Sequence, residues 1–251
     1  MAKRRHSRRK RHHRGSKILY KLISAVVASG AIVVALTLFF EVDSIQVSGV
    51  TKYDSAEVVA ASGVKAGDNL FLLNKYEIKD AIKEQLPYVS SVRINRKLPD
   101  TLLIEVTDSN LGGVICVDDV YWVIGADDGR ILDQRTEAGS EALIRGITPV
   151  EPKVGLPLAV PEEQERKRGQ LVALLAALEE KGMLQGVGGL DFTSDSVISM
   201  EYGERFTVEF AYGADFLYKL SNLNQVIEQL EDNERGTIDL TFDGRANFIP
   251  G

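Results

Sequence analysis

The chain has 251 residues, 44% of them hydrophobic, and a formal net charge of −6, enough for one large or two small folded domains with an ordinary core. Its one cysteine, Cys116, excludes an intrachain disulfide, and its three histidines, His6, His12 and His13, all lie near the N-terminus. The remainder therefore has no His for a Ser-His-Asp triad, a Cys–His dyad or a His-ligated zinc site.

The charge is unevenly placed. Residues 1–17 carry nine Lys/Arg and no acid, Lys21 adds a tenth, and residues 41–251 hold the other 20 bases and all 36 acids, a net charge of −16. Such a split points to two compartments or two partners. No aromatic residue is interleaved with the bases before Tyr20. Attraction of a disordered basic tail to anionic lipid, about 1 kcal/mol per base near the surface, is therefore favoured over nucleic-acid binding.

Leu22–Phe40 follows, 19 residues without a charge. At about 1.5 Å per residue a helix of that length spans ~28 Å, close to the ~30 Å hydrocarbon core. Phe39-Phe40-Glu41-Val42-Asp43 after it offers no small-x-small cleavage site, so an uncleaved transmembrane helix over residues 18–40 is expected rather than a signal peptide. The basic flank places residues 1–17 in the cytoplasm and the acidic body outside.

From Val42 to Asp108 the pattern is strand, helix, helix, strand, strand. Ile45 and Val47 alternate up to Gly49. Asp54 with Glu57, and Asn74 with Glu77, have capping-box spacing, and Ile78, Ala81, Ile82 and Leu86 line one helical face before Pro87. Leu86–Val106 carries a hairpin signal: alternation through Val92, Arg93, Ile94 and Asn95, a break at Arg96-Lys97-Leu98-Pro99-Asp100, and a second extended run from Leu102. Residues 42–108 are thus a small α+β module.

From residue 111 to 251 strands dominate, and a mixed β domain with packed helices is expected. "GGVICV", "VYWVIG" and "RILD" are strands, with a turn at Asp127-Asp128-Gly129, and a Pro/Gly-rich loop runs from Gly146 to Pro161. A helix carries Leu171, Leu174, Leu175 and Leu178 on one face, with Gly182 as its cap. Three strands follow, "GLDFT", "VISMEYG" and "RFTVEFAYG". Phe216, Leu220, Leu223, Ile227 and Leu230 recur at 4-3-4-3 spacing, too briefly for a free coiled coil, so this helix packs on the sheet. "TIDLTFDGRANFIPG" closes the chain as one alternating strand with Ile238, Leu240 and Phe242 on one side.

Chemical motifs are sparse. Ser62-Gly63-Val64-Lys65 matches the S-x-x-K of penicillin-binding serine enzymes, but S-x-N and K-T-G are absent, and Gly63 makes Ser62 an exposed helix end. "GVGGL" at Gly186–Leu190 lacks the residues of a P-loop, and the paired aspartates lack the alternate-position oxygens of a Ca²⁺ loop. Cys116 and Tyr121-Trp122 are expected in the core. No catalytic residue, cofactor or metal is expected.

The module at 42–108 resembles a POTRA domain, and its details resemble the FtsQ/DivIB family of bacterial cell-division proteins. The matching residues are Ile45–Gly49, Gly67–Phe71, Leu86–Val92 and Arg96–Val106, and in the second module "VIGADDGRIL", "YKLSNLNQVI" and "TIDLTFDGRANFIP". One departure is Asp108–Gly113, where the family commonly has a Pro, an absence expected to loosen the junction. The resemblance implies a non-enzymatic, single-pass scaffold concentrated at the division septum. It would bind FtsL and FtsB/DivIC-type bitopic proteins and act on septal peptidoglycan synthases indirectly. It also implies a partner site at the terminal strands, onto which Thr241, Phe242, Arg245 and Phe248 fall by position. From the residues themselves, the C-terminal strand has no later strand to cover it, while the shared parity of Ile238, Leu240 and Phe242 also allows Phe242 to be core. The rivals are a cell-wall serine enzyme and another POTRA-bearing chaperone or secretion component.

Overall fold

The computed structural model describes residues 14–137, 139–242 and 244–251, without the side chains at positions 14–19, 36, 38 and 50. The basic tail before Arg14 lies outside the described residues. By contact the chain divides into two compact units, residues 1–45, 65–73 and 96–102 in one, and 46–64, 74–95 and 103–251 in the other.

The first unit contains the helix α1, Arg14–Phe39. Leu22, Ile23, Val26, Val27, Ile32, Val33, Val34 and Phe39 are exposed on it. Among the described residues no helix is long and apolar enough to cross a membrane. The side chains described on α1 run unbroken from Tyr20 to Ala35, short of the ~20 residues a crossing takes. Beyond the helix, Val42 accepts from Gly67 N (2.9 Å) and donates to Asp68 O (2.8 Å), tying the exit strap to the 65–73 loop.

The three strands of the smaller sheet are β1 (Ser44–Val50), β2 (Val89–Lys97) and β3 (Thr101–Asp108), in the order β1-β3-β2. Helices α2 (Ser55–Ser62) and α3 (Lys75–Gln85) lie between β1 and β2 in the chain. The expected capping box at Asp54 forms: its carboxylate accepts from Glu57 N at 2.8 Å while Glu57 Oε2 accepts from Asp54 N at 2.9 Å. At Asn74 the side chain caps Tyr76 N (3.1 Å) and its amide instead donates to Glu77 Oε1 (2.7 Å). Val58, Ile78, Ile82, Val92, Ile94, Ile104 and Val106 are buried. Ser62 departs from expectation. It is buried, and its hydroxyl donates to Val59 O (2.6 Å) and accepts from Val64 N (3.2 Å), so the last turn of α2 turns it inward.

The large sheet has nine strands in the order β12-β11-β10-β9-β8-β7-β4-β5-β6. They are β4 (Leu111–Val117), β5 (Val120–Gly125), β6 (Ile131–Arg135), β7 (Leu143–Arg145), β8 (Val187–Asp191), β9 (Val197–Tyr202), β10 (Phe206–Ala211), β11 (Gly236–Asp239) and β12 (Asn247–Pro250). Helices α4 (Glu165–Glu180) and α5 (Phe216–Ile227) pack beside each other. Leu171, Leu174, Leu175 and Leu178 of α4, and Phe216, Leu220 and Leu223 of α5, join one core with Ile198, Met200, Val208, Phe210, Ile238 and Leu240. Cys116 is not in that core. Ile115 is buried in it, Val114 packs with Val123 and Leu132 in a second cluster, and Cys116 near the end of β4 is exposed. Trp122 is partly buried against the core.

The join at residues 108–113 is held rather than loose. Ser109 N donates to Tyr88 O (2.8 Å), Ala126 N to Asn110 O (2.9 Å), and Asn110 Nδ2 to Glu179 Oε1 (2.8 Å), while the buried Ser109 hydroxyl donates to Asp127. Nearby, Tyr88 Oη donates to Asp133 Oδ2 (2.8 Å), and Arg135 bridges Asp133 (3.3 Å) and Glu141 (2.7 Å). Burial raises the Asp133 carboxyl, but bonds from the Tyr88 hydroxyl, the Gln134 amide and Arg135 outweigh it and hold the group below its ordinary value. At Glu141 burial is likewise outweighed, chiefly by the Arg135 bond.

Candidate functional site

A sheet edge is a row of unpaired N–H and C=O groups, and natural proteins cover it, charge it or use it. The nine-stranded sheet ends in β6 on one side and β12 on the other. The first residue of β6 is covered by the Gly146–Pro161 loop: Ile131 N donates to Leu156 O (2.9 Å), Gly155 N to Ile131 O (2.8 Å), and Arg130 bridges Pro157. The loop that carries no sequence pattern thus has a structural use. β12 has β11 on one side and, among the described residues, no strand on the other.

The residues build this edge in steps. β10 pairs with β11 in parallel, Val208 opposite Ile238, and both are fully buried. Past Leu240 the expected single strand breaks. Asp239 Oδ1 accepts from Thr241 N (2.8 Å) and Thr241 Oγ1 (2.6 Å), bending the chain away from the sheet. Lys219 of α5 is 2% exposed and donates from Nζ to Phe242 O at 2.6 Å. Gly244, with φ +69°, sits in the turn, and β12 returns antiparallel with Ile238 opposite Phe248 and Thr237 opposite Ile249. The run read as one strand is therefore a hairpin, and β12 does cover β11. A Cβ at Gly236, where φ is +152°, would strike Ile249 O, so the close approach of β12 requires glycine there.

The four residues singled out by position divide between two roles. Phe242 is 60% exposed and Arg245 is exposed, so Phe242 is not core despite sharing the parity of Ile238 and Leu240. Thr241 is spent on the turn. Phe248 is partly buried, its ring edge-on to Phe206 at 6.2 Å. Ile249, which sequence reasoning missed, is 55% exposed and faces away from Phe248 along the strand. Lys219 and Gly236 were also missed, and both act by holding the hairpin.

Elsewhere the chemistry is thin. Among the described residues no group of three or more His, Cys, Asp or Glu is placed to hold a metal ion. The Ser62 hydroxyl is engaged by backbone. A cavity of about 630 Å³ is lined by Asn110, Ser140, Glu141, Glu179 and Gln185 among others, and its Glu141 is already held by Arg135 at 2.7 Å.

Comparison with known proteins gives a consistent result. Residues 40–108 match the family model described as POTRA domain, FtsQ-type. The cell division protein DivIB of Clostridium acetobutylicum is 27% identical over 214 residues, 84% of this chain and 83% of that protein. A cell division protein DivIB of Clostridium botulinum is 26% identical over 247 residues, covering 92% of this chain and 91% of the relative. The cell division protein FtsQ of Corynebacterium glutamicum is 32% identical over 137 residues, 53% of this chain and 56% of its own length.

Proposed function

Since this chain belongs to the FtsQ/DivIB family of cell division proteins, we propose that it is a non-enzymatic, single-pass scaffold of the divisome that accepts a partner segment as an added strand at β12. Residues 42–108 are taken as its POTRA domain and 111–251 as its β domain. The partners are FtsL- and FtsB/DivIC-type bitopic proteins, and septal peptidoglycan synthases are reached through them. The observation that carries this reading is the asymmetry of the sheet: loop 146–161 covers the start of the β6 edge, while β12 is open and flanked by exposed Phe242 and Ile249. Backbone bonds would supply affinity and alternate side chains specificity. The edge strand β2 is a poorer acceptor, since Arg93 and Lys97 are exposed on it and charge blunts an edge.

The anchor belongs to the same proposal. Its support is the uncharged run Leu22–Phe40, the basic flank before it and the exposed apolar side chains of α1. The test is affinity capture of the tagged, membrane-extracted full chain. Small bitopic division proteins should be retained by the wild type and reduced with Phe242→Ala at equal thermal stability. Equal retention by Phe242→Ala, Arg245→Glu and Phe248→Ala would remove the β12 site.

A further inference from the structure

The last four carbonyls of a helix lack intrahelical donors, and next to a membrane each must find one. At the end of α1 a neighbouring loop provides a donor for one of them and another for the residue just beyond the helix. Asn69 Nδ2 donates to Thr37 O (3.0 Å), and Leu70 N donates to Phe40 O (2.8 Å). Glu41 and Asn69 form an antiparallel bridge. Asn69 Oδ1 accepts from Phe71 N (3.0 Å), which fixes the loop's own turn. Phe71 meets Phe40 edge-on at 4.8 Å, and Phe40 meets Phe39 at 5.1 Å. Together Val33, Thr37, Phe40, Asn69, Phe71 and Leu72 line an apolar groove of about 490 Å³.

The tip of this loop is apolar and open, with Phe71 52% and Leu72 80% exposed. Its depth follows from its bonds. If Leu22–Phe40 fills the hydrocarbon core, Thr37 lies about 4.5 Å inside its outer end, at ~1.5 Å per residue. A loop hydrogen-bonded to Thr37 O and Phe40 O is held at that level, where aromatic side chains collect. Arg96 reinforces it from the end of β2: its guanidinium lies 5.7 Å from the Phe71 ring centre and donates to Leu73 O (3.0 Å), placing a base beside the apolar tip.

We infer that Phe71 and Leu72 are seated in the outer leaflet, at the boundary of headgroups and acyl chains, so that lipid is a second partner of this chain alongside the strand-accepting edge. The inference rests on the proposed anchor. The driving force is apolar. In residues 41–45, 65–73 and 96–102, on the outer side of the anchor, Lys65, Arg96 and Lys97 are offset by Glu41, Asp43, Asp68 and Asp100, so the seat needs no anionic lipid.

The test uses the full chain carrying Cys116→Ser, reconstituted in phosphatidylcholine vesicles, with an environment-sensitive fluorophore on Leu72→Cys or, separately, on Val33→Cys. Leu72 is exposed enough to bear the label without disturbing the fold. Nitroxide placed shallowly on the acyl chain should quench the Leu72 label and aqueous iodide should not, while deep-chain nitroxide quenches the Val33 label. Iodide quenching at Leu72 with Val33 still lipid-quenched would overturn the seat and leave the anchor standing. A Leu72 label shielded from both quenchers would mean that protein covers the tip, and would overturn the lipid assignment. Iodide quenching at Val33 would remove the anchor itself, and the seat with it.

Discussion

Replacing Lys219 by Met should loosen the C-terminal hairpin without collapsing the β domain. The Lys219 stem is buried in α5, and Met keeps most of its apolar contact. Among the interactions lost is the charge-assisted bond from Nζ to Phe242 O at 2.6 Å. Such a bond contributes about 1.5–3 kcal/mol, so the expected loss is at least the lower figure, ~1.5 kcal/mol. With a urea slope of about 2 kcal/mol/M, that lowers the unfolding midpoint by roughly 0.75 M. The effect should be concentrated locally. Amides of residues 244–249 should exchange faster, while those of β8 and β9 stay close to wild type. The assay is urea unfolding of the full chain in detergent, followed by hydrogen exchange. An unchanged midpoint together with unchanged exchange in β12 would refute the claim that Lys219 positions the edge.

Phe242→Ala should change stability by less than about 0.5 kcal/mol, as an exposed site, yet weaken partner capture by about 30-fold if Phe242 anchors an interface worth ~2 kcal/mol. Phe248→Ala should weaken capture and also lower stability, because it removes the edge-on contact with Phe206; equal stability of the two variants would contradict the packing described. Ser62→Ala should cost about 1 kcal/mol in thermal or urea unfolding, through its two backbone bonds, and leave division intact; covalent labelling of Ser62 by a β-lactam would instead revive the enzyme reading. Asp133, Glu141 and Asp191 all have carboxyls held below their ordinary values, Asp191 chiefly by the Thr193 hydroxyl. Their contribution is therefore complete above the unfolded carboxylate range, near pH 4–4.5, and is lost as pH falls through the lower folded values. A melting temperature flat from pH 5 to 7 and falling below about 4 is expected, with a shallower acid slope in Asp133→Asn; an identical slope would dismiss the junction network as its source.

Much of this fold is written in local chemistry. The Asp54–Glu57 box, the Gly63 stop and the leucine face of α4 are legible because caps and 3.6-residue periodicity are short-range. β7 is not legible: Leu143–Arg145 is three residues long, and its parallel partners, Val114 and Gly189–Asp191, are remote in sequence. The candidate site was half legible. Alternation runs unbroken through Ile238, Leu240 and Phe242, so parity alone continues the strand past its true end. The contrary signal in the sequence is Asp243-Gly244, a hairpin dipeptide. Lys219 could not have been found, since a lysine between Phe216 and Leu220 is ordinarily solvated, and only the fold brings Phe242 O to it. Ser62 and Cys116 were misplaced for a related reason: helix ends and strand faces fix burial only once their neighbours are known.

The most direct test of the account is a photo-crosslinking amino acid placed at Ile249 of the full chain in dividing cells, with the same probe at Tyr76 for comparison. Both positions are exposed, Ile249 on β12 and Tyr76 on α3. The account predicts a covalent adduct from Ile249 to a small bitopic division protein, lost when Phe242→Ala is added. Adducts with that protein from Tyr76 alone, and none from Ile249, would contradict it and place partner binding on the POTRA module.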